Sequence, residues 1–222
     1  MEQQETVLQA FEALKTNKYL LEIFGSILKV GNCLNAGNKT RGQADGFEIE
    51  AISKTFSIKD TNGSCIMLTI CQKMFEKDEE FTKFKDSFPM CYKALKCKVD
   101  EIKTESDKAK GALNTNTSQF ELIKKVDPEA EELIFGKQIK VFLQESEKMV
   151  EKLQEKNKVV ADKYLEICDY FMLNSQDEMR KKSDKFFTFW TQFIDDVQKQ
   201  IPKPQKAPAK KKVGGNDTKK AV

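Results

Sequence analysis

The sequence has 222 residues, of which 33% are charged and 39% hydrophobic, with a formal net charge of +3 and no histidine. Histidine is the commonest general base near neutral pH, and the carboxylates here lie among lysines as on a solvated helix face. We therefore expect no enzyme activity and no cofactor. No segment reaches the roughly 18 apolar residues of a membrane-spanning helix, so we expect a cytoplasmic protein without a membrane span.

The first half of the chain predicts helices separated by a glycine-rich loop. Apolar residues at helical spacing predict one helix from about Glu5 to Leu34. Residues 35–46 contain three glycines and predict an irregular surface loop. A short helix is predicted next, near residues 49–56. Another helix follows the turn at residues 60–63, and Asn62 or Ser64 is expected to cap it.

Two long helices are predicted next, from Met90 to about Val126 and from Asp127 to about Leu173. In the first, Tyr92, Leu95 and Val99 begin a coiled-coil-like seam. The second has its own seam of positions that alternate in steps of three and four, namely Ile139, Phe142, Ser146, Met149, Leu153, Lys156, Val160, Tyr164, Ile167 and Phe171. Helices of this length predict an all-α, elongated bundle.

The last predicted helix is dense in aromatic residues, and a lysine- and proline-rich tail follows it. Ser175 and Glu178 fit a capping box at its start. Its aromatic residues, typical of a core, indicate that the helix docks on the body of the protein. Residues 201–222 predict a disordered tail. Its seven lysines and one aspartate give it a formal charge of +6, so the remainder of the chain carries −3. The tail is either a solubilising end or a contact for acidic surfaces.

The six cysteines do not have the spacing of a metal site, because none of them forms a CxxC pair. Most of them lie among apolar residues. We therefore expect reduced, partly buried thiols and no bound metal.

Several motifs in order resemble those of the formin homology 2 family. Residues 31–37 read Gly-Asn-Cys-Leu-Asn-Ala-Gly, and a glycine-rich loop then leads to Gly46-Phe47. This arrangement is similar to the formin signature. Residues 58–61 resemble the short turn that follows in formins, Phe88-Pro89 matches a dipeptide before a long helix, and Asp169-Tyr170-Phe171 resembles the motif that closes the next one. The resemblance covers roughly residues 5–200, which we interpret as a partial domain spanning residues 1–200.

The resemblance implies a module that binds actin and performs no catalysis. Formin homology 2 domains are elongated and all-helical, and two of them form a ring around the filament's barbed end, which nucleates filaments and stays on the growing end. Each N-terminal lasso wraps the post of its partner, so the implied partners are actin and the formin homology 2 domain of another chain. The implied actin-binding residue is Lys59, and the residues implied to receive the lasso are Gly31, Asn32, Asn35, Gly37, Gly46 and Phe47.

The family's lasso, linker and knob would precede the first helix of this sequence. We therefore expect the chain alone to nucleate actin weakly and to form no lasso-closed ring. One alternative is a helical scaffold or adaptor that does not bind actin. Another is a nucleic-acid-binding protein with a basic tail, whose binding would depend strongly on salt. The tail is not interleaved with aromatic residues, so we expect no nucleic-acid partner.

Overall fold

A computed structural model describes residues 2–39 and 41–202 of the chain. The predicted tail from residue 203 onward and Thr40 lie outside these residues. The described part is all-α and forms nine α-helices and two 3-10 helices, and none of these helices is long and apolar enough to cross a membrane. In chain order they are α1 (Glu2–Thr16), α2 (Lys18–Leu34), α3 (Glu50–Lys54), α4 (Ile66–Lys77), η1 (Glu79–Ser87), α5 (Pro89–Ala94), α6 (Val99–Val126), η2 (Pro128–Glu131), α7 (Ile134–Tyr170), α8 (Glu178–Lys181) and α9 (Ser183–Gln200).

The body of the protein is organised around the aromatic face of α9, as its sequence predicts. Trp190 is fully buried, and its ring lies 4.4 Å from that of Phe171 at the end of α7. Phe187 stacks on Phe11 of α1 at 5.7 Å, and Trp190 also contacts Phe24 of α2 at 6.1 Å. Such pairs stabilise a core beyond the area that they bury. The last helix thus joins the first two helices to the long helix α7.

The prediction of a single helix from Glu5 to Leu34 is wrong, because the helix is interrupted at Asn17. This residue has extended backbone angles (φ −64°, ψ 116°), and its side-chain oxygen accepts a hydrogen bond from the Leu20 amide at 3.0 Å. The amide of asparagine is among the best N-caps, so the break ends α1 and starts α2 without leaving that donor unpaired. The two helices can therefore present different faces to the core.

The long helix predicted from Met90 is also divided, because residues 95–98 between α5 and α6 are not helical. Lys98 is extended (φ −81°, ψ 116°), and the Val99 amide that follows donates to the side-chain oxygen of Ser183 in α9 at 3.0 Å. Tyr92 on the short helix α5 donates to Asp195 of α9 at 2.7 Å. The start of the predicted seam thus packs in the body, and only α6 continues outward.

Helices α6 and α7 form a hairpin that extends away from the body. Helix α7 has 37 residues, so it is about 55 Å long. It begins at Ile134 after the 3-10 turn η2, not at Asp127 as predicted. The prediction of an elongated bundle with coiled-coil-like helices is confirmed.

The seam of α7 differs from the predicted one at three positions, each shifted by one residue. Phe142, Met149 and Lys156 are exposed, so their assignment to the seam was wrong. The inward positions follow a regular spacing of four and three residues: Ile139, Leu143, Ser146, Val150, Leu153, Asn157, Val160, Tyr164 and Ile167. This spacing keeps one face of α7 on its neighbours along the whole helix.

A buried polar contact lies where the hairpin leaves the body. Asn157 is 8% exposed and accepts a hydrogen bond from the Gln4 side-chain amide at 2.7 Å. Its own amide donates to the Ile102 carbonyl oxygen at 3.4 Å. A buried asparagine at a seam position fixes the register of packed helices, because any other register would leave its amide unpaired. The contact thereby aligns α1, α6 and α7.

Two of the predicted helix caps are wrong. Helix α4 is capped by Cys65, whose sulfur accepts from the Leu68 amide at 3.4 Å, instead of by Asn62 or Ser64. At α8 the N-cap is Asp177, and its carboxylate accepts from the Asn174 amide in place of the predicted Ser175 capping box.

All six cysteines are free thiols, as predicted, and four of them are buried. Burial raises the pKa of the Cys71 thiol to about 12, with a smaller contribution from Cys65, and burial alone raises that of Cys91 to about 12. A thiol with such a pKa stays protonated near neutral pH and is a poor nucleophile. These side chains act as small apolar core residues.

We expect the ion pair between α1 and α7 to make stability depend on pH. The Glu166 carboxylate accepts from Lys15 at 2.7 Å and from Lys163 at 2.6 Å, and these hydrogen bonds lower its pKa from 4.5 to about 2. Because the folded pKa is lowered, the stabilisation is present above about pH 4.5 and is lost as the pH falls toward 2. Glu166→Gln should therefore lower the urea midpoint modestly at pH 7, and this deficit should shrink below pH 4.5.

The matched control is Glu155→Gln, an exposed carboxylate on the same helix. Urea unfolding of both variants and the wild type across the pH range provides the measurement. A deficit of Glu166→Gln that stays constant with pH would contradict the assigned role of the ion pair.

Candidate functional site

The loop predicted after α2 is held closed by Asn32. The side-chain amide of Asn32 donates to the Ala44 carbonyl oxygen at 2.9 Å, and its oxygen accepts from the Ala44 amide at 2.9 Å. This reciprocal pair mimics the pairing of two backbone strands. The motif residue therefore joins the last turn of α2 to the far end of the loop.

The other loop residues of the motif shape the end of α2. Asn35 follows the helix, and both its backbone amide and its side-chain amide donate to the Gly31 carbonyl oxygen at 3.0 Å. Gly37 has a φ of +86°, a conformation that favours glycine. Gly42, which the motif analysis did not single out, is packed so closely that a Cβ would lie 2.8 Å from the Asn35 carbonyl oxygen. These positions therefore build the loop from within.

A groove of about 730 Å³ lies between α2 and α4, beside this loop. Gly25 and Ser26 of α2 are small, which leaves room between the two helices. Side chains from α2, from α4 and from the turn between α3 and α4 form its apolar lining, and they are Val30, Leu34, Ile58, Ile66, Ile70 and Met74. Leu34 is 64% exposed and Ile58 is 44% exposed. The groove thus presents apolar surface that a partner could bury.

The rim of the groove is mainly basic. Lys29, Lys59 and Lys73 line it and form no ion pair with any described residue, whereas Lys77 pairs across one end with Glu22 at 3.1 Å. Besides Glu22, one other carboxylate among the described residues lines the groove, that of Asp60. The combination of an apolar floor and unpaired lysines suits an acidic surface with apolar side chains at its centre.

Lys59 is positioned by a compact turn. It forms an antiparallel bridge with Cys65, and the Ile66 amide donates to the Ile58 carbonyl oxygen at 3.0 Å. The carboxylate of Asp60 closes the turn by accepting from the amides of Asn62 and Ser64 at 2.8 and 2.9 Å. The turn holds the backbone of Lys59 in place and leaves its side chain exposed at the rim.

A second, smaller cleft of about 260 Å³ contains Gly46 and Phe47. Phe47 packs edge to face on Phe24 at 6.2 Å, and the end of α7 forms the opposite side of the cleft with Phe171 and Met172. The site residues predicted from the sequence thus lie at three different places in the structure. Gly46 and Phe47 line this cleft, Lys59 lies at the groove, and the remaining motif residues build the loop.

Met172 is a notable member of this cleft, because it is the one non-glycine residue with positive φ (56°) in the described part of the chain. It ends α7 in a Schellman motif, in which the Leu173 amide donates to the Cys168 carbonyl oxygen at 2.9 Å and the Met172 amide to that of Asp169 at 2.9 Å. Glycine is the usual residue at this position. The methionine side chain is nevertheless 81% exposed at the edge of the cleft.

Sequence reasoning missed Lys29, Lys73 and Met172. Lys29 and Lys73 lie on helices about forty residues apart, and nothing in the local pattern indicates that these helices face each other. Met172 follows the Asp-Tyr-Phe motif directly, and a methionine where a helix ends and a glycine is expected is a signal that could have been used.

We expect Asn32→Ala to loosen the loop without unfolding the protein. Loss of the two hydrogen bonds to Ala44 should cost about 1 kcal/mol. Hydrogen–deuterium exchange at the Ala44 amide should become faster, because that amide loses its acceptor. Asn32→Asp is the matched control, since it keeps the acceptor for the amide. Unchanged exchange at Ala44 in Asn32→Ala would show that the pair does not hold the loop.

Comparison with known proteins identifies one family that matches most of this sequence. The Formin Homology 2 Domain family matches residues 1–198. The chain is 25% identical to Formin-2 of Mus musculus over a 201-residue alignment that covers 86% of this chain and 13% of that protein. It is 24% identical to Formin of Gallus gallus over 217 residues, covering 94% of this chain and 18% of that protein.

A shorter segment of 69 residues, 31% of this chain, is 41% identical to Formin-C of Dictyostelium discoideum, of which it covers 6%. The chain thus spans less than a fifth of the length of these relatives. Since the family match extends over nearly all of the described helices, the chain belongs to the formin homology 2 family.

Proposed function

We propose that this chain is an actin-binding module of a formin that works by binding and not by catalysis, at the filament barbed end in the cytoplasm. Support comes from the family membership and from the basic-rimmed groove between α2 and α4. Lys59, the residue whose motif resembles the family's actin-contacting turn, lies at this rim. The single observation that carries the proposal is this coincidence of the motif lysine with an open groove.

The chemistry of the groove fits this role. Actin presents an acidic surface, and Lys29, Lys59 and Lys73 would face it without first having to break ion pairs to described residues. The exposed Leu34 and Ile58 would supply apolar contacts at the centre. Affinity in such interfaces comes mainly from the buried apolar centre, while the charged rim controls encounter and orientation.

We expect Lys59→Glu to weaken binding to actin filaments. Charge reversal would place a carboxylate against an acidic surface and should raise the dissociation constant about tenfold, or ~1.4 kcal/mol. Co-sedimentation with filaments at physiological salt measures this effect. Lys108→Glu, which changes the same charge on the exposed side of α6, should bind like wild type.

Equal losses in both variants would reduce the effect to net charge and argue against a specific groove. If the wild-type chain does not sediment with filaments, the alternative of a helical scaffold or adaptor that does not bind actin is favoured.

We also propose that the cleft around Phe47 receives a segment of a second formin homology 2 chain. The support is its apolar lining by Phe24, Phe47 and Phe171 and the strained, exposed Met172 at its edge. Residues held in sparsely populated backbone conformations cluster at binding sites. Gly31, Asn32, Asn35 and Gly37 would then act indirectly, by shaping the loop that ends at Gly46.

Met172→Gly should move stability and binding in opposite directions. Glycine relieves the left-handed conformation and should stabilise the fold by about 1 kcal/mol, because little of the exposed side chain is packed. Binding to a complete formin homology 2 domain should weaken several-fold, because the cleft loses its edge. Urea unfolding and a pull-down with that domain measure the two effects. Unchanged binding by a stabilised variant would exclude Met172 from the interface.

A further inference from the structure

The two walls of the groove are antiparallel helices of matching length. Lys77 at the end of α4 pairs with Glu22 of α2, and Leu34 at the end of α2 lines the groove together with Ile66 at the start of α4. The lining part of each wall is about 17 Å long, which is about three helical turns. The groove thus has the length of a three-turn helix.

Each wall presents one face of its helix to the groove. On α4 the lining residues recur at spacings of three and four, namely Ile66, Thr69, Ile70, Lys73, Met74 and Lys77. This is the spacing of a single helical face. On α2 the small residues Gly25 and Ser26 lie in the lining, and a Cβ on Gly25 would meet no neighbouring atom within 4 Å. The side-chain ridges of a third helix can therefore lie between these two faces.

The groove offers little to an extended or a proline-rich peptide. An extended peptide binds by backbone hydrogen bonds to a sheet edge, and a proline-rich segment binds in a groove lined by aromatic rings. In the described part of the chain, two helical faces and one turn line the groove, and none of the lining side chains is aromatic. A helix pairs its own backbone groups and can bind such walls through its side chains alone.

The volume of the groove fits the apolar stripe of one helix. An apolar cavity of about 150 Å³ holds one benzene ring. The groove of about 730 Å³ therefore has room for about four large side chains. A stripe with apolar residues at i, i+4, i+7 and i+11 places about four of them on three turns. The floor that would receive them is apolar, with Ile70 and Met74 at its base.

The charges on the walls favour an acidic helix. Lys29 of α2 and Lys73 of α4 are exposed on opposite walls, and Lys59 lies at the end formed by the turn. The two lining carboxylates do not neutralise these lysines, since Glu22 is paired elsewhere and Asp60 accepts from the amides of its own turn. A helix lying in the groove would face a lysine on each of its flanks.

We propose that the groove binds an amphipathic α-helix of about three turns, with one apolar stripe and carboxylates on both sides of that stripe. The stripe is buried on the floor, and the carboxylates meet Lys29 and Lys73. A basic helix would oppose like charges on both walls and is thereby rejected. The inference deepens the proposed function and rests on it only for the source of the helix, which would be an actin subunit of the filament.

A synthetic peptide tests the chemistry of the groove without actin. The probe carries leucines in one stripe over about three turns and glutamates on both sides of the stripe. A side-chain cross-link on its far side keeps it helical, because short helices are marginal in water. Fluorescence anisotropy should show saturable binding to the chain. A cross-linked peptide of scrambled sequence, and one with lysines in place of the glutamates, should each bind at least about tenfold more weakly.

Variants of the chain identify the surface that binds the peptide. Lys29→Glu and Lys73→Glu together should weaken binding of the acidic peptide about tenfold for each reversed charge and should favour the lysine peptide instead. Ser26→Phe should fill the groove and weaken both peptides, and the lost hydroxyl bonds only within α2. Lys108→Glu on α6 should bind like wild type. Circular dichroism and urea midpoints verify that each variant is folded.

Filament co-sedimentation with added acidic peptide separates this inference from the proposed function. Peptide binding that also displaces the chain from filaments supports both. Peptide binding by a chain that does not sediment with filaments supports the helix-binding groove and contradicts actin as its source. A chain that sediments with filaments but binds the acidic peptide no better than the scrambled one overturns the inference alone. Binding of the acidic peptide that Ser26→Phe leaves unchanged also overturns it, because the peptide then binds elsewhere.

Discussion

The contact of α9 with the helices at the start of the chain is the interaction on which the rest of the fold depends. Trp190 and Phe187 lie between α1, α2 and the end of α7, so the last helix closes the body around the first. The same helix holds η1, since Gln198 accepts from the Lys85 amide at 2.9 Å and donates to the Thr82 carbonyl oxygen at 3.0 Å. Helix α9 thereby supports the segment that follows α4, and α4 is one wall of the groove.

Local sequence predicted the helices well but not their breaks. At Asn17 and Lys98 the apolar spacing continues across the break, so periodicity alone indicates a single helix. After Lys98, the new helix α6 depends on a distant partner, because the Ser183 side chain of α9 accepts a hydrogen bond from the Val99 amide. At Asn17 the signal is local, since an asparagine can cap the helix that follows it.

The register of α7 illustrates a different limit. The sequence of its outer half offers two apolar faces that differ by one residue, one with Phe142 and Met149 and the other with Leu143 and Val150. Hydrophobicity cannot choose between them. The choice depends on tertiary contacts, above all the buried amide of Asn157 against Gln4 and the close approach of Gly136 to the Ala130 carbonyl oxygen.

The candidate site was predictable only where a motif marks it. Lys59 and Phe47 were predicted from short motifs, and both lie at surface depressions. The groove as a whole was not predictable, because it forms between α2 and α4, and the residues that make it open are small ones such as Gly25. A glycine that leaves space between two helices has no sequence pattern that distinguishes it from other glycines.

The uninterrupted length of α7 has a mechanical consequence. Tyr170 and the Phe47 cleft lie at one end of this helix, and Ile134 lies at the other, about 55 Å away. A straight helix transmits a tilt as a lever does, so a rotation of about 5° at the body displaces the tip by about 5 Å over that length. The seam with α6 stiffens the lever, and the Lys15–Glu166 pair anchors it to α1 near the body. Small rearrangements around the cleft would thus be amplified into large movements at the far end of the hairpin.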